Sequence, residues 1–488
     1  MSLIYSGKPR LVAANCNVFA VLACILLMHP LHSTAGAEAT TREIFSSSSD
    51  DSLKIAREYA EISRRILQAA ETDSTGFQRL AELCVRFGPR LSGSANLDAA
   101  TEWILRRMRE DGFADVHGES VLVTHWVRGR ESLAMLAPYS KDLAMLGLGG
   151  SVATPDGGIE AEAFVVGSFE ELSRRADEAA GKIVVYDVPY TTYGETVTYR
   201  WRGAMDAARA GAVASLVRSV TPVSLNTPHT GSMGYADSLR KIPHAAITPE
   251  DAEALHRMQE LGSPARLRLS MEARTLPDAP SQNILGEIRG REAPDEVVVL
   301  GGHIDSWDAG QGAHDDAGGC VAAWEALRLL KQLGLTPRRT VRVVMWTNEE
   351  NGTRGGQGYA KAHADELAKH ILAIEADAGI FAPEGFGFSG GDEARGVMRG
   401  VCALLAPIGA DAVGNGGGGV DISFIMKAGV PGAGLNVKGS KYFWYHHSPA
   451  DTIDKIDPRD FRRCAAALAV LAYVVADIPE RLPRERAK

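Results

Sequence analysis

From about residue 282 onward the chain alternates short apolar runs with longer stretches of helical spacing. "NILGEIRG", "EVVVLGG", "TVRVVMWT" and "HILAIEA" are rich in Val, Ile and Leu and are bounded by polar or glycine-containing segments, the pattern of buried strands. Between them, 316–334 and a stretch near 353–369 repeat apolar residues at helical intervals. This alternation predicts an α/β domain: a mixed, mostly parallel sheet with helices on both faces, and ligands beyond the carboxyl ends of the strands.

Upstream the texture differs. Helical patterns cover roughly 53–70 and 95–112, the second opening where Ser94 or Asn96 can cap it. Between 121 and 280 short β-type runs such as "ESLAML", "AEAFVV" and "GKIVVYDV" lie among Gly/Pro turns, interrupted by one predicted helix, "WRGAMDAARAGAVASLV". These features predict a separate, smaller α+β module over 121–280, set between an N-terminal part of the main domain (38–120) and its larger part (281–488).

Lys8 and Arg10 precede an apolar run, 18–28, which is followed by Ala35-Gly36-Ala37. That is the layout of a secretory signal peptide, 1–37, cut before Glu38. The run is shorter than the ~20 residues a membrane-spanning helix needs. The expectation is a secreted or periplasmic protein without membrane contact after cleavage, led in by the serine-rich 38–52. The formal charge is −9, or −11 without the leader, and basic clusters are lacking, which argues against a nucleic-acid partner. Cys84, Cys320, Cys402 and Cys464 remain, widely spaced and without a paired-cysteine zinc pattern; buried free thiols are the default reading.

Charge becomes informative at the strand ends. "GGHIDSWDAGQGAHDDAGG" places His303, Asp305, Asp308, His314, Asp315 and Asp316 directly after a buried strand, where unpartnered acids and imidazoles are costly. "NEENG" puts Glu349 and Glu350 just past the next strand, "IEADAG" puts Asp377 past the one after, and "YHHSPADT" puts His446 and His447 ahead of the last helix. Several strand ends thus deliver carboxylates and imidazoles to one edge of one sheet. Oxygen and nitrogen donors without thiolates suit zinc in an open hydrolytic site. Their number exceeds the needs of one zinc and suits two metals ~3.5–4 Å apart that share a carboxylate and a hydroxide. A further carboxylate beside them can serve as general base.

These stretches, with "NEENGTRGGQGY", "GPRLSGS" near the start and "VDISFIMKAGVPGAGL" near the end, resemble the co-catalytic dizinc exopeptidase family, and within it the carboxypeptidase Q branch, over about 55–475. The resemblance implies that His303 and Asp377 bind one zinc, Glu350 and His447 the other, and Asp315 bridges the two. It makes Glu349 the general base and Asp305 the acid that orients the His303 imidazole. It also implies that 121–280 is a protease-associated domain, that the protein is a homodimer, and that the substrate is a short peptide with a free N-terminus. The wider family often has Asp-His where this chain has Asp421-Ile422, a departure touching substrate contacts rather than the metal set; Asp421 is either a helix cap or a supporting residue of the site.

Asp315 is preferred to Asp316, which can serve the helix N-terminus. His447 is preferred to His446, a structural or substrate-side residue, and His314, His229 and His244 are read as non-ligands. The aromatic group 442–445 reads as packing or dimer surface. Two other functions compete with an exported zinc aminopeptidase or dipeptidase. One is a receptor-like relative without catalysis, which would lack a full ligand set. The other is a glutaminyl cyclase-type enzyme with a single zinc, which would need neither the inserted module nor the second metal.

Overall fold

The structure, a computed structural model, describes residues 52–484. The expected leader, 1–37, lies outside the described residues, as does the lead-in up to 51. Among the described residues the strands form two eight-stranded sheets.

The first sheet runs, edge to edge, through Ala114–Val127, Arg274–Ile288, Arg339–Trp346, Ala293–His303, His370–Glu375, Gly432–Val437, Pro383–Ser389 and Ala412–Asn415. Its central pairs are parallel and its flanks mix in antiparallel pairs. The period of two along "VVVL" explains its double covering. Val298 and Leu300 face one core with Trp324 of helix Gly318–Gln332 and Leu468 of helix Pro458–Asp477, whereas Val297 and Val299 face another with Tyr359 of Arg354–Ala362 and Ile425 of Ser423–Met426. Each such side chain, fully buried, contributes roughly 1.5–3 kcal/mol, so a polar replacement at Val298 would cost the fold more than any surface change. The mixed α/β sheet covered on both faces is the one the alternation implied.

The second sheet is built from strands between Glu131 and Met271, with a parallel centre of Ile159–Val166, Ile183–Tyr186, Ala214–Arg218 and His244–Ile247. It too is buried on both faces, by helix Tyr193–Arg209 through Ala204 and Ala207 and by helix Pro249–Glu260 through Leu255. Strands Ala114–Val127 and Arg274–Ile288 belong to the first sheet and pair from Ala114↔Glu287 to Val127↔Arg274. The expected module limits at 121 and 280 therefore fall inside this antiparallel ladder.

Several element readings need correction. The helix read at 201–217 lies at Tyr193–Arg209; Gly211, at φ 76°, ends the turn, and "ASLVR" becomes a central strand. The alanine-rich run has helical spacing, but pairing with two parallel neighbours overrides it. Helix Thr75–Phe87, which buries Leu80, Leu83 and Cys84, was not anticipated. Of the two candidate caps, Ser94 accepts from the Leu97 amide (3.2 Å), while the Asn96 amide donates to the Pro89 carbonyl. Cys84, Cys320, Cys402 and Cys464 are buried free thiols. No helix among the described residues is long and apolar enough to cross a membrane.

Candidate metal centre

The parallel register aligns three strand ends. His303 stands opposite Trp346 and Gly301 opposite Glu375, so the segments that follow emerge at one edge. Glycine is required there: a Cβ on Gly302 would lie 1.9 Å from an Asp316 carboxylate oxygen, and one on Gly301 1.7 Å from the Val344 carbonyl. Asp316 closes the corner, its carboxylate accepting from the His303 and Gly319 amides (3.1 Å each). Asp315 is turned the other way, with its amide donated to Asp451 Oδ2 (3.1 Å). Asn348 in the left-handed region (φ 67°) starts the turn that presents Glu349 and Glu350.

The side chains converge. His303 Nε2 is 3.2 Å from Asp315 Oδ1 and 3.5 Å from Asp377 Oδ1. His447 Nε2 is 3.2 Å from Asp315 Oδ2 and 3.0 Å from Glu350 Oε2. One aspartate thus lies between two imidazoles that reach it from different parts of the chain. His303, Asp315 and Glu350 are buried, and Glu349 and Asp377 are half-buried. A cavity of about 10 Å³ adjoins this cluster on the His447 side, lined by Asp315, Glu350, His447, Trp307 and Asp451 among others.

Electrostatics follow from crowding. Burial, then the neighbouring Asp315, pushes Glu350 up to about 7. Burial, with Asp377 and Glu350 close by, pushes Glu349 well above the usual carboxylate range. Burial opposes a charged His303, but Asp377 and Asp315 outweigh it and raise the imidazole well above its ordinary value. Asp315 goes the other way: its hydrogen bonds to His303 and His447 overcome burial and hold it well below.

Some expected residues act through other atoms. The His303 Nδ1–H donates to the main-chain carbonyl of Asp305 (2.9 Å), and the Asp305 carboxylate is 3.9 Å away. That carboxylate instead accepts from the Glu349 amide (3.0 Å) and Ser92 Oγ (3.1 Å), because the turn after the neighbouring strand brings donors to it first. Asp421 is fully buried with both carboxylate oxygens unpartnered, beside Glu375 and Glu349, which together with burial raise it well above the usual range. Asp421 thus stands beside Glu375, which the sequence reading passed over and whose carboxylate lies 3.4 Å from the Asp421 amide. Glu375 accepts from the Ile422 amide (2.9 Å), and burial raises it to about 7. Its signal was available: it lies two residues before Asp377 in a strand where every other residue is apolar or paired. His446 stacks on His447 at 3.6 Å, with its Nε2 3.7 Å from Asp315 Oδ2. The aromatic group packs within the chain, Phe443 on Tyr193 and Tyr445 on His314.

The model of peptidase family M28 matches residues 283–472, the span carrying every side chain of the cluster. Carboxypeptidase Q of Mus musculus is 48% identical over 429 residues, 87% of this chain and 91% of the relative. Carboxypeptidase Q of Homo sapiens is 48% identical over 414 residues, 85% and 88% of the two chains. The chain belongs to peptidase family M28. The crystal structure of an M28 peptidase precursor from Shewanella amazonensis superposes with a TM-score of 0.85 at 34% identity, over 89% of this chain and all of that one.

For an M28 peptidase the donor set fits a pair of metal ions. Two groups have donor atoms within 4.8 Å of one another, His303–Asp315–Asp377 and Asp315–His446–His447, with Asp315 common to both. Glu350 Oε1 and Asp377 Oδ1 are buried without hydrogen-bond partners, a cost that cation ligation removes. Six carboxylates (Asp315, Glu349, Glu350, Glu375, Asp377, Asp421) also outnumber the two facing imidazoles, an imbalance that two divalent cations offset.

Proposed function

We propose that this peptidase is a zinc-dependent exopeptidase that hydrolyses unblocked dipeptides or removes N-terminal residues from short peptides. The observation that carries the reading is the buried Asp315 carboxylate, with one oxygen 3.2 Å from each of two opposed imidazoles. His303 and Asp377 would hold one zinc, Glu350 and His447 the other, and Asp315 would join them. Zinc in such a pair polarises the scissile carbonyl and lowers the pKa of the attacking water.

The chain's own residues supply the rest. Glu349, half-buried and fixed through its amide by Asp305, takes the proton from water and hands it to the leaving amine. Asp305 thereby sets the base and, through its carbonyl, the His303 ring. Glu375 and Asp421 extend the acidic wall behind Glu349 and Asp377 and favour a free, protonated N-terminus. The second sheet, 131–271, would be the protease-associated module, the mature protein a secreted or periplasmic homodimer, and the first 37 residues its leader.

The test is a panel of free and N-acetylated dipeptides assayed with added zinc. An acetyl cap removes the charge that the acidic wall favours, so free dipeptides should be cleaved at least ~10²-fold faster. Equal rates would discard the N-terminal requirement, and release of only C-terminal residues from longer blocked peptides would favour a carboxypeptidase reading, as the relatives' name has it.

A further inference from the structure

The two imidazoles nearest Asp315 are oriented from different parts of the molecule. His303 donates to a carbonyl two residues along its own loop. His447 has no such local partner: its Nδ1 is 3.3 Å from the carbonyl of Thr230, which belongs to the second-sheet module. Within that module, Arg200 on helix Tyr193–Arg209 is buried, and Nη1 donates to the same Thr230 carbonyl (3.3 Å) and stands 3.3 Å from His447 Nδ1. Its other donors meet the Ser232 carbonyl (3.2 Å) and the Tyr193 hydroxyl (3.0 Å). All of these partners are neutral; the guanidinium also lies 5.7 Å from the Tyr193 ring, and among the described residues no carboxylate pairs with it.

We propose that Arg200 is a positioning residue for the His447 imidazole, acting through the Thr230 carbonyl, and that the second-sheet module is thereby part of the metal centre. The inference rests on the ligand role given to His447 above. A ring that offers the Nε2 lone pair to a cation carries its proton on Nδ1, and Nδ1–H needs an acceptor. Thr230 O is that acceptor. Arg200 cannot donate to a protonated Nδ1, so its part is to hold the carbonyl.

The surroundings point the same way. His447 is in the left-handed region at φ 59°, a conformation that persists only where neighbours enforce it. The enforcing contacts come from 221–232 of the module. The Thr230 amide donates to the His447 carbonyl (2.9 Å), His229 Nδ1–H to the His446 carbonyl (2.7 Å), and Thr221 Oγ1 to the Phe443 carbonyl (2.7 Å). Ser232 Oγ donates to the Glu350 carbonyl (2.6 Å), so one segment grips the chain at both His447 and Glu350. Gly231 leaves room for the guanidinium, since a Cβ there would lie 2.3 Å from Arg200 Nη1.

The test is zinc retention by the full chain during dialysis against a graded series of chelators, counted by elemental analysis, with His447→Ala as the reference for loss of that ligand. Arg200→Ala should bind one of its two zincs about 10- to 100-fold more weakly than wild type and keep the other. Its cobalt-substituted spectrum should change, and kcat should recover in excess zinc. Arg200→Ala that holds both ions as tightly as wild type overturns the proposal. Should that variant not fold by circular dichroism, Tyr193→Phe decides in the same assay: weaker retention of one ion supports the proposal, and unchanged retention overturns it. A wild-type chain that binds no zinc, or retains both ions in His447→Ala, would instead refute the ligand reading on which this rests.

Discussion

Replacing Glu349 by Gln separates the base from the ligands. The structure distinguishes two adjacent glutamates: Glu350 Oε2 is 3.0 Å from His447 Nε2, whereas Glu349 is anchored through its amide by Asp305 and its carboxylate is half-buried. The Gln side chain is nearly isosteric and leaves that amide contact intact, so folding and metal content should be unchanged. What disappears is the proton acceptor, typically worth ~10²–10⁴-fold, or about 2.7–5.4 kcal/mol of barrier. The loss should fall on kcat and leave KM little altered, because the acceptor matters only as the water's O–H bond breaks. Steady-state kinetics on an unblocked dipeptide, with elemental analysis of the same sample, measures both quantities. Glu350→Gln is the control and should lose one metal along with activity. A Glu349→Gln enzyme with most of its kcat, or one that sheds metal as Glu350→Gln does, would refute the assignment.

Other consequences follow. Purified protein should contain two zinc ions per chain, and their removal by chelation should abolish turnover until zinc is restored; a count of one or none contradicts the paired centre. Burial holds the His244 imidazole down to about 4 against ~6.5 in an unfolded chain. The unfolded state therefore binds the extra proton between these values, so stability falls as pH drops through that window, by about 2 kcal/mol at about pH 5 from this group. Denaturant unfolding at neutral and acidic pH should show a smaller pH dependence in His244→Gln, and an equal dependence would refute the assignment. Light scattering at micromolar concentration should give a dimer, and a monomer would refute that expectation.

The parts of the centre legible in the sequence share a physical cause. His303, Glu349, Glu350 and Asp377 follow mostly apolar strand runs, and a charged group at the end of a buried strand is conspicuous because its burial must be offset. What escaped depended on three-dimensional neighbours. Glu375 is the last residue of the strand His370–Glu375 and goes unmentioned in the sequence reading, although alternation puts it on the same side as Asp377. The Asp305 carboxylate contact was misassigned because the spacing from His303 brings the residue near but does not decide which oxygen meets the ring. The 121 and 280 limits fall within one ladder because the two strands pair continuously through the change in their composition. Thr230 and Arg200 are separated from His447 by 217 and 247 residues, and neither position carries a local signal.

That separation bears on how the centre is held together. The cluster's excess of negative charge favours cations but does not by itself select a geometry; a loop bearing His447 could satisfy the same charges from several directions. Fixed backbone groups remove that freedom. On the His303 side they come from the strand and its own turn, both rigid within the first sheet. On the His447 side they come from 221–232, across from the second sheet, and Trp307, next to the first-sheet loop, packs into the second module's core with Trp126. The two sheets therefore cannot be treated as a catalytic part and an accessory. A change in the second module at a residue that is not itself a ligand, such as Gly231→Ala, which would drive a methyl group into Arg200, should weaken the metal centre before it unfolds the chain. If that variant lost thermal stability while zinc retention stayed at the wild-type level, the second module would not be coupled to the metal centre.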